Sequence, residues 1–383
     1  MAQLRFKNFS DLAFIQGVDK PRFLAPLLEP HKAYFQRQGL DVTKLKNGDG
    51  HDRQLLEVFT NPDEEMPAGL LESLYVLDDL ADDAGHDRIL AEAERQGVQL
   101  NGIVGQEMSP GEFAIAVQLQ HAKIVRVAHD RTLYRKIKNY EEYQAKGNKQ
   151  LTLNATKAKR TSLEEELAPW FESKNRSRAC EIYVYEEKDD IKFEITHGRP
   201  YRTDGSIDKK LKRSRVAYRP QKHDSVIYDT RTRVLKLNAQ IAAEKDLYRK
   251  SIGKILFDDA DYFPAGDIYT LAPLRKAKPT LALVAGVKSV RLTEVWIQVN
   301  DEHGFVQTSR AHNLLAVAER HGTPNLAQGN IVRASFLIEY GSGGRPRKLE
   351  LRPPNVAIYD RARDGAPAEA FMHANGFSKL PKP

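Results

Sequence analysis

The sequence predicts an α+β chain in which a helical N-terminal region is followed by two mixed regions with antiparallel sheets. Three observations carry that expectation. Apolar residues recur at helical spacing through the first part of the chain; after Cys180 they alternate with polar residues in several short runs; and a helix-period segment, IAAEKDLYRKSIGKILF, separates the strand-like runs of the middle from those of the end. The boundaries that follow are a helical domain over 1–130, a basic helix and linker over 131–177, a central α+β domain over 178–275 and a C-terminal α+β domain over 276–383. At 383 residues, with 41% hydrophobic and 29% charged residues, the chain can bury sizeable cores.

In the first domain, PAGLLESLYVLDDLADD places Leu70, Leu74, Leu77 and Tyr75 at three- and four-residue spacings, with Asp78, Asp79, Asp82 and Asp83 away from that stripe. HDRILAEAERQG follows, and Gly97 is its stop. MSPGEFAIAVQLQ opens with Ser109, Pro110 and Glu112, a capping box with proline at the first helical position, and Phe113, Val117 and Ile124 continue one apolar stripe. The next segment, HDRTLYRKIKNYEEYQAKGNK, is read as helical, with Leu133, Ile137 and Tyr140 opposite a basic face of Arg131, Arg135 and Lys138. LTLNATKAKR lacks periodicity and reads as a linker. Ser162 then caps the helix SLEEELAPWFES.

The central domain begins with CEIYVYEE and DIKFEITHG around one charged turn, and SVIYD with RVLKLNA around another, which gives a meander of about four strands. Further on, VKSVRLTEVWIQVN reads as a strand, RAHNLLAVAERHG as a helix, and NIVRASFLIEY with RKLELRPPN as a hairpin tipped by GSGGRPR and ended by Pro353 and Pro354. A last helix takes Pro367 in its first turn and finishes at Gly376.

Charge is distributed unevenly along this frame. Residues 1–120 carry 11 basic and 20 acidic residues, whereas His197–His223 holds nine basic residues against two acidic, a surplus equal to the +7 of the whole chain. That string, HGRPYRTDGSIDKKLKRSRVAYRPQKH, falls between two strands of the meander and reads as a long arm. Arg199, Arg202, Lys209, Lys210, Lys212, Arg213, Arg215, Arg219 and Lys222 suit the neutralisation of phosphates, and Tyr201 and Tyr218 suit stacking on exposed bases. Two further basic elements point the same way: the helix face of Arg131, Arg135 and Lys138, and the hairpin tip with Arg345, Arg347 and Lys348. The competing account is that the acidic and basic regions pair with each other, with a second copy or with a protein partner.

Catalytic patterns are sparse. There is no GxxxxGK[ST] loop, GxGxxG turn, GxSxG elbow or HExxH helix. His121 with Lys123 lacks the aspartate that a phospholipase-D-type nuclease requires, and Glu186 with Lys188 fits the E-x-K of metal nucleases only locally. Asp258, Asp259, Asp261 and Asp267 read as a polar helix end rather than a magnesium site. His197 and His223 bracket the arm and would act as acid and base only if they met across it. Cys180 is the single cysteine, which permits neither an internal disulfide nor a cysteine-based zinc site, and it reads as core filler.

No cofactor or metal is expected. The longest apolar run, LALVAGV, is too short to span a bilayer and the N-terminus lacks a signal-peptide core, so no membrane partner and a cytoplasmic location are expected. The expected function is nucleic-acid binding through the phosphate backbone, with recognition within a prokaryotic defence or nucleic-acid maintenance complex as its setting. A metal-dependent nuclease with dispersed carboxylates and a structural adaptor are the alternatives.

Overall fold

A computed structural model describes residues 6–380 apart from 49, 64, 136, 208–211, 277, 300–302, 323 and 342, and apart from the side chains of Leu133 and Arg135. The chain divides into two compact units, one of Met1–Leu133 with Asp204–Val216 and the other of Tyr134–Thr203 with Ala217–Pro383.

In the first unit the short helices α1 (Leu12–Gly17), α2 (Ala25–Leu28), α3 (Lys32–Arg37) and α4 (Asp52–Thr60) precede α5 (Ala68–Leu80), α6 (Asp83–Gln96) and α7 (Pro110–Arg135). The signals in the sequence work as expected. Gly97 ends α6 in the left-handed conformation (φ 65°), and Ser109 and Glu112 exchange the bonds of a capping box at α7; Asp82, read only as lying off the α5 stripe, also accepts the Gly85 N–H at the start of α6. Leu70, Leu74, Leu77, Phe113, Val117 and Ile124 are buried in one core with Phe9, Phe35 and Phe59. Two residues of α5 depart from expectation. Tyr75 stands outside the apolar stripe at 43% exposure, and Asp78 is buried because its carboxylate accepts the backbone N–H groups of Lys7, Asn8 and Phe9.

The second unit starts with β1 (Asn139–Gln144), α8 (Leu153–Ala158), α9 (Arg160–Ser173), β2 (Cys180–Glu187) and β3 (Asp190–Gly198). The arm strands β4 (Arg202–Ile207) and β5 (Arg213–Tyr218) come next in the chain, their Asp204–Val216 belonging to the first unit, and the second unit resumes with β6 (Gln221–Asp229), β7 (Val234–Asn238) and α10 (Ala242–Phe257). It closes with β8 (Val287–Gln298), β9 (Val306–Arg310), α11 (Leu314–His321), β10 (Asn330–Tyr340), β11 (Arg347–Arg352), β12 (Val356–Ile358) and α12 (Arg361–Ala374). The architecture is the predicted mixture of helices and antiparallel sheet.

Among the described residues, ten strands form one sheet in the order β2-β3-β6-β7-β1-β12-β11-β10-β8-β9, and β4 pairs only with β5. The strands read in sequence as belonging to two mixed regions therefore share a single sheet. Its two halves are covered on opposite faces. Tyr140 of β1 lies opposite Ala357, which packs with Phe336, Leu349, Phe371 and Met372 of β10, β11 and α12. The adjacent Glu141 lies opposite Leu237, which packs with Phe193, Val226, Phe171 and Tyr248 of β3, β6, α9 and α10. Neighbouring residues of a strand point to opposite faces, so the two cores lie on opposite sides.

Four local expectations are corrected. NYEEYQ is strand β1 rather than helix, because it completes the sheet between β7 and β12 and tertiary pairing overrides its polar composition. LTLNATKAKR contains α8, whose first turn is capped by Thr152 Oγ1 on the Ala155 N–H at 3.3 Å. Helix α9 begins at Arg160, before Ser162. Pro367 lies inside α12 rather than in its first turn, because Asp360 starts the helix earlier by accepting the Arg363 N–H.

Candidate nucleic-acid interface

The basic arm leaves β3 after Gly198 and returns at Gln221, and the strands on either side of it are paired in register, His197 with Lys222 and Thr196 with His223. A Cβ at Gly198 would lie 3.0 Å from the Cβ of Ser177, so the departure point is closely packed. Because side chains alternate, His197, Lys222 and Asp224 share the face covered by α9 and α10, and His223 points the other way with Thr196. His223 Nδ1 lies 3.2 Å from Thr196 Oγ1, and the two histidines that bracket the arm do not meet.

Beneath the root of the arm is a buried ionic cluster. Lys222 Nζ lies 2.6 Å from Glu244 Oε2 and 3.2 Å from Asp224 Oδ1, Arg176 also bonds Glu244, and the Tyr248 hydroxyl donates to Asp224 Oδ2 at 2.7 Å. Glu244 and Tyr248, four residues apart on α10, present one helical face to the strands. His197 Nε2 lies 3.0 Å from Asp224 Oδ2 and its Nδ1 2.9 Å from the Gly198 carbonyl, while its ring stacks on Phe171 with centroids 4.1 Å apart. Burial pushes the Glu244 carboxyl up, but its bonds to Lys222 and Arg176 prevail and hold it down at about 2. Burial, reinforced by the charge of Asp224, drives the Tyr248 hydroxyl well above its ordinary range.

His197, Asp224 and Glu244 offer ligand atoms within 4.8 Å of one another, a spacing that suits a metal ion. The donor set does not fit one, because the Lys222 ammonium bonds both carboxylates and both ring nitrogens of His197 face oxygens. With side chains of His197, Asp224 and Glu244 at most 1% exposed, the cluster is also closed to a substrate. It is an ion-pair clamp that fixes where the arm begins and ends.

Along the arm, the sequence-predicted residues divide sharply. Arg199, Arg202, Lys212, Arg213 and Arg215 are exposed, as are Tyr201 and Tyr218. Every residue of β5 is exposed, whereas β4 has Asp204 and Ser206 half-buried between exposed neighbours. Arg219 stays at the root, where its guanidinium donates to the Asn175 carbonyl at 2.7 Å and lies 4.1 Å from the centroid of the Tyr201 ring. Lys222 points inward to the clamp. Lys209 and Lys210 lie outside the described residues, as does the side chain of Arg135.

The other two basic elements contribute less surface than their sequences suggest. Arg131 is buried against Glu92 at 3.0 Å, and Lys138 pairs with Asp360 at 3.1 Å. At the C-terminal hairpin Arg345 is exposed, Lys348 pairs with Glu350 at 2.6 Å, and Arg347 turns to the opposite face to grip Asp364 with two bonds of 2.7 and 2.5 Å. Arg131, Lys138, Arg347 and Lys348 thus have carboxylate partners within the chain, Lys348 with its ammonium end still exposed.

The weak catalytic patterns also resolve into local pairing. Asp258 and Asp259 bond Lys149 and Lys146, Lys188 occupies the β2–β3 turn at φ 58°, and burial pushes the Cys180 thiol up to about 12. Sequence reading missed Asp224, Glu244, Arg176 and Tyr248. The only local signal was the Lys222-x-Asp224 spacing, which places two charges on one face of a strand whose neighbours are apolar. No protein-family model and no curated protein matches the chain. Among the described residues no helix is long and apolar enough to cross a membrane.

Proposed function

We propose that the protein is a cytoplasmic nucleic-acid-binding protein that grips the phosphate backbone through the β4–β5 arm. The observation that carries this reading is the arm itself: a two-stranded ribbon with Arg202, Lys212, Arg213 and Arg215 exposed, whose chain leaves and re-enters strands β3 and β6 beside buried ion pairs. An isolated two-stranded ribbon is marginally stable in water, and a chain that spends a buried clamp on presenting one has a use for its surface. A β-ribbon fits the major groove, where guanidinium groups reach phosphates on both walls. Recognition within a larger defence or nucleic-acid maintenance assembly is the setting in which a non-catalytic grip of this kind serves.

A second reading draws on apolar residues of the same arm. Ile207 and Val216 are 65% and 51% exposed, which suits a protein partner better than a phosphate backbone. Binding of labelled duplex DNA, single-stranded DNA and RNA, measured from low to high salt with the full chain, separates the two. Backbone binding appears at low salt with all three probes and weakens when Arg202, Lys212, Arg213 and Arg215 are replaced by Ala. The adaptor reading gives no binding at low salt. A nuclease is revealed by Mg²⁺-dependent shortening of the probes.

A further inference from the structure

Among the described residues, the core of the C-terminal half of the sheet lies on the face packed by α12, and no helix joins a core on the other face. Reading the pairings across β11, β10, β8 and β9, the bare face carries Arg352, Arg333 and Trp296 in one row and Glu350, Ser335, Glu294 and Arg310 in the next. A third row holds Lys348, Leu337 and Arg291. A merely solvated face has no need of an indole and five cations at its centre.

The carboxylates lie beneath the cations and orient them. Glu350 is 3% exposed and accepts from Arg333 at 2.7 Å, Lys348 at 2.6 Å and Arg352 at 2.5 Å. Glu294 accepts the Trp296 indole N–H at 2.5 Å and pairs with Arg310 at 3.2 Å. The third carboxylate of the face, Glu339, takes a bond from Ser289 at 3.1 Å. The cation ends stand above: Arg310, Lys348 and Arg352 are 70%, 52% and 43% exposed. Trp296 is pinned by its N–H and by the Arg333 guanidinium 4.7 Å from its ring centroid, which makes it a rigid platform.

Five cations against three carboxylates leave a positive surplus, spread over strands about 4.8 Å apart. An open sheet with aromatic and guanidinium planes is suited to unpaired bases and their backbone, whereas a broad sheet cannot enter a duplex groove. From these we infer that this face is a binding surface for single-stranded nucleic acid, distinct from the arm. The inference rests on the reading of the protein as a nucleic-acid binder and adds a second surface with its own substrate class.

The chain has two tryptophans, Trp170 and Trp296, so the full-length Trp170→Phe protein reports Trp296 alone. The test titrates it with an oligothymidylate of about 16 nucleotides, a length that one sheet-type site covers, and follows emission alongside anisotropy of a labelled copy. The expected result is a change in Trp296 emission that saturates with binding. Arg310→Ala lowers the salt slope by about 0.7, while Thr308→Lys tightens and Thr308→Glu weakens binding several-fold. Thr308 is exposed on the edge strand β9 opposite Trp296, so its substitution leaves the ion pairs intact and the fold is not at issue.

Binding that is lost with the arm substitutions, yet leaves Trp296 emission and both Thr308 variants unmoved, overturns this inference while sparing the arm. Binding that survives the arm substitutions and follows the Thr308 variants supports it and removes the arm. An equal emission change with a polyglutamate peptide overturns single-stranded nucleic acid as the occupant, and no binding of any oligonucleotide at low salt removes both readings.

Discussion

Lys222 shows how a residue's place in a strand decides its role. In the sequence it is one of nine cations in a run, but alternation turns it inward to a pair of buried carboxylates. Lys222→Ala leaves Asp224 and Glu244 short of a counter-charge, and is expected to cost about 3–5 kcal/mol, whereas Arg213→Ala or Arg215→Ala on the exposed ribbon stays within about 0.5 kcal/mol. Urea unfolding of the three variants measures the contrast. The same cluster sets an acid limit. The Glu244 carboxyl is lower in the folded chain than in the unfolded one, so its contribution is complete above the ordinary carboxylate range and is lost as pH falls from about 4.5 towards about 2. Stability measured across that window should fall more steeply in the parent than in Glu244→Gln, which lacks the titrating group but begins from lower stability at neutral pH.

Elements were legible where one face stays buried along their whole length. Helices α5, α6 and α10, and strands β2, β3, β8 and β10, show clean helical or alternating patterns because each serves one core. Strand β1 does not, and the reason is its position. It lies at the seam where the sheet changes its covered face, so Tyr140 and Glu142 point to one side, Glu141 and Tyr143 to the other, and no apolar alternation develops. The arm was legible as a charge run, but its clamp was not, because Arg176 and Glu244 come from segments far away in sequence and nothing local marks them as partners of Lys222. The ribbon forms a two-stranded sheet of its own rather than joining the ten-stranded one, and its amides are expected to exchange with solvent far faster than those of β3 and β6 in the free protein. Addition of duplex DNA should slow exchange in β4 and β5 more than elsewhere, as read by hydrogen–deuterium exchange.

For the whole molecule, the charge map makes sense only after internal pairing is removed. Arg131, Arg347 and Lys222 are drawn inward to carboxylates, while cations whose ends stay exposed gather on the arm and, although paired to Glu294 and Glu350, on the bare face of the sheet. Composition alone could not make that division, since a buried and an exposed arginine are the same letter. The account therefore predicts that nucleic-acid affinity depends on a few residues and not on the net charge of +7. The most direct measurement is the dependence of duplex DNA affinity on salt, for the parent and for the chain with Arg202, Lys212, Arg213 and Arg215 replaced by Ala. The account predicts a log–log slope that falls by about 3.6 in the substituted chain, near 0.9 for each of the four phosphate contacts removed. An unchanged slope and affinity would contradict it.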